Sequence, residues 1–405
     1  MHSPLQSLRN RFIRSALVSQ LFSQIAIWVR NFAVLLFIME KTGGDAFAVS
    51  MISVAEYAPI FLFSFIGGVF ADRWRPKRTV VACDLLSALS VAVVLVALKS
   101  GAWEAAFAAT LCSAVASQFA QPAGMKLFKM HVADDEAQSA MSILQTTVAV
   151  FTVLGPVAGT FVYRQWGIDV AIALTGLLFV LSAAAMTAIP PDRAADVDPE
   201  AQGRSLLQDM RDGIRYVARH RKLLPLSLCF ATVGLGVGLI APLGVFVVTE
   251  RLGLPPEALP WTTIPYGLGE LIGGAATFAL AAKVSPLTML AAGLLANAAG
   301  IAVSGLSGTL WLTMAAQFAL ALFQPAIFVG NNALVMKHAD EAYVGRVTGI
   351  RTPLMTGAMV VMMSVSGVLK ESLTLVGTYA LAGSCFAAGF VLLLPLFGDK
   401  PARKR

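Results

Sequence analysis

The sequence predicts an all-α membrane protein built from twelve spanning helices. Three observations lead there. AVILMFWYC residues make up 57% of the 405-residue chain, charged residues only 13%, and mean hydropathy is +0.74. A soluble domain carries about twice that charge. Apolar stretches recur at about the 20 residues that a bilayer core requires. Lys and Arg also cluster on alternate sides of those stretches.

The spans fall at 15–38, 47–71, 79–98, 105–128, 139–163, 168–189, 223–249, 259–282, 287–305, 309–336, 346–369 and 373–397. Each reads as a helix. A spanning segment must satisfy its own backbone hydrogen bonds, and these stretches are too long for barrel strands. The first follows Arg9, Arg11 and Arg14 and lacks an A-x-A cleavage site, so it reads as a retained anchor. With both termini on one side, 24 of the 30 Lys and Arg lie on that side. They include Arg73–Arg78 after span 2, Arg193–Lys222 in the middle, and Lys337, Arg346 and Arg351 around the loop after span 10. Five lie opposite, and Arg30 is inside span 1. The termini and the central segment are therefore expected in the cytoplasm. The net charge of +7 reflects this topology and not nucleic-acid binding.

Residues 191–222 separate two six-helix halves, 1–190 and 223–405. Pro190 and Pro191 end span 6, and a helix is expected from Ser205. Leu206, Leu207, Met210, Ile214 and Val217 share one face of it, and Arg211, Arg215 and Arg219 another. That pattern fits a basic amphipathic helix on the membrane surface, or a solvated tether. The halves also echo each other. Phe119-Ala120-Gln121-Pro122-Ala123 late in span 4 resembles Phe323-Gln324-Pro325-Ala326 late in span 10, and an acidic pair follows each. Parallel six-helix repeats are one symmetry of secondary transporters; chance likeness between Ala-rich helices is the alternative.

The loop after span 2 reads Gly68-Val69-Phe70-Ala71-Asp72-Arg73-Trp74-Arg75-Pro76-Lys77-Arg78. With the twelve spans and the cytoplasmic central segment, it resembles the major facilitator superfamily over essentially the whole chain. The version here is most similar to the bacterial exporters that include the enterobactin exporter and macrolide efflux proteins. Gly68, Asp72, Arg73 and Lys77 match the family pattern; Arg75 stands where the family often has Gly. The resemblance implies a two-half bundle that alternates access to a central site lined by spans 1, 4, 7 and 10. Gly68, Asp72, Arg73, Lys77, Arg78 and Asp84 are expected to form a cytoplasmic gate. Gly155-Pro156-Val157-Ala158-Gly159 in span 5 resembles the family's antiporter motif and implies export by exchange. An ordinary membrane kink is the alternative. Gly234, Gly236 and Gly238 lie inside span 7 and are expected to serve helix packing.

Ionisable residues at depth point to function or to pairing. Arg30 and Glu56 both sit roughly 13 Å below the outer surface on antiparallel neighbours, so a pair is expected, structural or proton-carrying. Glu270 lies mid-span without a matching base, and a low dielectric disfavours its charged form, which suits a proton carrier. Gln20, Gln24, Asn31, Gln118, Gln121, Gln145, Tyr266, Gln317 and Gln324 are candidate cavity residues. With Trp28, Phe119 and Phe323 they suit an amphipathic or hydrophobic organic compound. The expected activity is proton-coupled export of such a compound, drug-like or siderophore-like, by a monomer. Uptake or lysophospholipid movement on the same fold is the first alternative, and a membrane sensor or enzyme the second. His2, His131, His220 and His338 are scattered and the four cysteines lie within spans, so no metal site, cofactor or disulfide is expected.

Overall fold

The computed structural model describes residues 10–132, 134–189, 206–340 and 343–397, with side chains except at 64–73, 134–135, 138–139, 206–210 and 344–346. No strand occurs among the described residues. The helices are α1 (Arg11–Lys41), α2 (Ala46–Arg73), α3 (Pro76–Lys99), α4 (Ala105–His131), α5 (Asp134–Thr187), α6 (Leu206–Arg219), α7 (Leu223–Ile240), α8 (Pro260–Leu280), α9 (Pro286–Leu306), α10 (Leu310–His338) and α11 (Val344–Phe397). Helical turns continue α7 to Arg251.

Local sequence explains several starts. Asn10 caps α1, its side chain accepting from Phe12 N at 2.9 Å. Ser285 caps α9 by accepting from Thr288 N at 3.1 Å. Pro76, Pro260 and Pro286 open their helices, where a missing N–H costs nothing. The 54-residue α5 and α11 are each interrupted by one non-helical residue. In α5 it is Gly167, with φ 74°. In α11 it is Thr374, with φ 67°, a strained conformation for a β-branched residue. Gly167 falls between the fifth and sixth expected spans and Thr374 at the start of the twelfth.

Eight helical stretches are long and apolar enough to cross a membrane, two of them containing these interruptions. The shortfall from twelve has a plain source. Each interrupted stretch holds two expected spans, and α4 and α8 carry too many Gln, Ser, Thr and Gly among their apolar residues to reach that threshold.

The chain divides into two compact units, Met1–Pro199 and Glu200–Arg405. In the first, α1 packs chiefly on α5, α3 on α4 and α5, and α2 on α4. In the second, α7 packs chiefly on α11, α9 on α10 and α11, and α8 on α10. The pairings correspond one to one. Small residues permit the close ones. A Cβ at Gly234 or Gly238 would strike the backbone carbonyls of Met355 or Met359 on α11. Glycine on α7 thus lets two backbones touch.

Candidate functional site

In the first unit, α1, α3, α4 and α5 line a half-open cavity of about 490 Å³. Gln20, Gln24, Gln121 and Gln145 line it, with Asp84 and Ser87 of α3. Gln20 is anchored, its Nε2 donating to the carbonyl of Leu144 at 3.1 Å. Asp84 is held from across the bundle: Ser182 Oγ donates to its Oδ2 at 2.6 Å. Ser182 Oγ in turn lies 2.8 Å from the hydroxyls of both Ser19 and Ser23. Asp84, expected in the cytoplasmic gate, is seen here with Ser182 as its partner. Its carboxylate turns to α5 and to the cavity, where hydroxyl donors offset the cost of placing it inside the bundle.

Arg30 and Glu56 do not form the direct ion pair expected of them. Asn31 stands between. Arg30 donates to Asn31 Oδ1 from Nε at 3.1 Å and from Nη2 at 2.8 Å, and Asn31 Nδ2 donates to Glu56 Oε1 at 2.9 Å. An amide presents an acceptor to the guanidinium and a donor to the carboxylate, so it links both where they cannot meet. Asn31 is thereby engaged in this relay instead of offering a free amide to a ligand. Arg30 is buried, and its Nη1 has no hydrogen-bond partner among the described residues.

Of the gate residues, Gly68, Asp72 and Arg73 lie where side chains are outside the described set. Lys77 is described: Nζ donates to the carbonyls of Thr187, at 2.8 Å, and Ile189. It thus satisfies the open carbonyls that end α5. Arg78, Trp74 and Phe119 line a separate groove of about 900 Å³ along α3 and α4, and the Trp74 and Phe119 rings stack at 6.0 Å. That engagement draws Phe119 away from the cavity assigned to it. Pro156 is buried within a continuous helix, and Gly155 and Gly159 receive Trp28 and Phe32 of α1. A Cβ at Gly159 would lie 2.7 Å from both Phe32 Cβ and the Trp28 carbonyl. Gln118 donates to Ala114 O of its own helix at 3.5 Å.

In the second unit, Tyr266 donates to Gln324 Oε1 at 2.8 Å, joining α8 to α10. Glu270, one turn along α8, is half-buried with no hydrogen bond or ion pair among the described residues. Gln317 is half-buried on α10. Sequence reasoning counted Arg351 among the cytoplasmic bases; the structure buries it at 2% exposure. Arg351 donates to Asn331 Oδ1, donates to Asn332 Oδ1 at 3.3 Å, and sits over the Phe230 ring at 4.8 Å. Apolar Val347 and Met355 four residues to either side were the available signal.

The sequence profile of the Major Facilitator Superfamily matches residues 16–286 and 226–405. The chain belongs to that superfamily. It is a multi-pass membrane protein of the transporter type, and not an enzyme. It is 26% identical over 357 residues to the uncharacterized MFS-type transporter YkuC of Bacillus subtilis (strain 168), covering 86% of this chain and 83% of that one. It is 21% identical over 377 residues to macrolide efflux protein A of Streptococcus pyogenes, covering 90% and 91%. Its fold matches a crystal structure of the nucleoside transporter NupG with TM-score 0.75 at 12% identity, covering 96% and 100%. Two observations thus agree on the superfamily fold: the matched profile, and the duplicated helix pairing.

Proposed function

We propose that this superfamily member exports small amphipathic or hydrophobic organic compounds, drug-like or siderophore-like, in exchange for protons. The observation that carries the reading is the cavity of the first half, about 490 Å³ and lined by glutamines, serines and apolar side chains. That volume is in the range of small-molecule sites. Similarity to macrolide efflux protein A supports the outward direction. Lys and Arg bias supports cytoplasmic termini in a bacterial inner membrane. The working unit is a monomer whose halves alternate access, with Asp72, Arg73, Lys77 and Arg78 at the cytoplasmic gate.

Glu270 and Glu56 compete for the proton-carrying role. Glu56 accepts from Asn31, itself tied to Arg30, so its carboxylate is already engaged in the relay. Glu270 has no such support, so its charge is costly and a proton readily relieves it. Glu270 is therefore the carrier in this reading. A purified protein in proteoliposomes should accumulate substrate under an imposed pH gradient, and a protonophore should abolish it. Glu270→Gln should lose accumulation while keeping downhill substrate exchange. Accumulation by Glu270→Gln at the wild-type rate overturns the assignment; wild-type accumulation indifferent to the pH gradient overturns proton coupling.

A further inference from the structure

We infer that the first-half cavity takes a cationic, amine-type ligand, with Asp84 as its counter-charge. This deepens the exporter reading and rests on it for the ligand being cargo.

A serine hydroxyl donates once and accepts through two lone pairs. Ser182 Oγ has Asp84 Oδ2 at 2.6 Å and the Ser19 and Ser23 hydroxyls at 2.8 Å. One arrangement uses every proton: Ser19 and Ser23 donate to Ser182, and Ser182 donates to Asp84. Ser182 alone then donates to the carboxylate, and two further hydroxyls back it from behind. Successive hydrogen bonds in such an array polarise one another. The array occupies Oδ2 alone. Oδ1 has no hydrogen-bond donor among the described residues, and Asp84 lines the cavity.

Next comes the missing cation. Among the described residues, no Lys, Arg or His lines this cavity, and Asp84 is the single charged one that does. A carboxylate held inside a bundle without a base calls for positive charge from elsewhere. The cavity supplies the remainder of such a site. Gln24 and Gln121 offer amide oxygens to an ammonium, and Met125, Met141 and Phe179 offer polarisable surface to an apolar body. Asp84 lies eight residues into α3, roughly 12 Å along the helix from Pro76. A ligand's charged head there leaves its apolar body among the methionines.

Equilibrium binding to the purified full-length protein in detergent tests this, using radiolabelled dibenzylamine, a cation at neutral pH, and neutral 1,3-diphenylpropane of related shape. The wild type should bind the cation saturably. Asp84→Asn should weaken the cation by about tenfold or more and the neutral compound by less than about twofold. Asp84→Glu should keep most of the cation affinity. On the unmutated protein, dicyclohexylcarbodiimide modification of Asp84, read by mass spectrometry, should be slowed by the cation and not by the neutral compound. That measurement decides the matter if Asp84→Asn fails to fold. Equal cation binding by wild type and Asp84→Asn, no cation binding by the wild type, or no protection of Asp84 each overturns the proposal. Cation binding that depends on Asp84, in a protein that does not export the same cation from vesicles, leaves the site standing and sinks the exporter reading.

Discussion

In the first half α1 lies on α5 and α2 on α4; in the second α7 lies on α11 and α8 on α10. Both halves also tie the end of their fourth helix to the chain preceding their first. His131 at the end of α4 stacks on Phe12 at 4.9 Å, and Asn10 Nδ2 donates to His131 O at 3.3 Å. Beyond α10, Tyr343 stacks on Tyr216 of α6 at 4.2 Å, and Asp340 bonds the Tyr216 hydroxyl. The charges follow no such rule. The first half keeps carboxylates that are bonded, Asp84 to Ser182 and Glu56 to Asn31. The second keeps Glu270 without a partner among the described residues, and a buried guanidinium at Arg351 held by amides and a ring. Packing is the duplicated property and charge placement the individual one. Function on a shared frame resides in the latter.

If packing is the shared frame, breaking it should have the largest effect in either half. Gly238→Leu puts a side chain into the Met359 carbonyl, so it should cost about 3 kcal/mol or abolish folded protein. Gly155→Leu meets the Trp28 side chain instead and should cost less. Thermal unfolding in detergent measures both, and equal losses would deny that backbone contact is tighter in the second half. Charge comes next. Arg30→Gln should destabilise by about 2 kcal/mol because Glu56 is left at depth, and adding Glu56→Gln should recover part of it. Strictly additive damage would refute the relay. Arg351→Met strands no carboxylate, and Asn331 keeps its 3.1 Å bond to Leu226 O. It should cost about 1 kcal/mol. The end ties are smallest. His131→Ala and Tyr343→Ala should each shift stability by under about 1 kcal/mol, and by similar amounts. A large effect of one alone would make the two ties unlike.

Much of the frame was legible because bilayer thickness is written directly in apolar length. The halves were legible through the paired Gln-Pro-Ala segments, and Pro122 and Pro325 do lie inside α4 and α10. Side-chain partners were not. Arg30 and Asn31 are adjacent, and helical periodicity puts neighbours on different faces. Periodicity grouped Asn31 with Gln20 and Gln24; a rotamer joined it to Arg30. Ser19 and Ser23 stood one turn apart on α1, a pattern that sequence reading treats as packing until Asp84 is seen beyond Ser182. The burial of Arg351 was not legible, because a base close to a loop reads as interfacial by position alone. Thr374 carried no warning, since nothing in a threonine announces positive φ.

The duplicated pairing has a consequence for biosynthesis. Every helix pairing named above closes within Met1–Pro199 or within Glu200–Arg405. When the ribosome has released Pro199, both members of each first-half pairing named above are already made. At about 5–20 residues per second, the remaining 206 residues occupy roughly 10 to 40 s. The first bundle can insert and assemble in the membrane during that interval, before its counterpart exists. Two separately encoded chains, divided near Pro199 and made in the same cell, should then each yield a folded bundle.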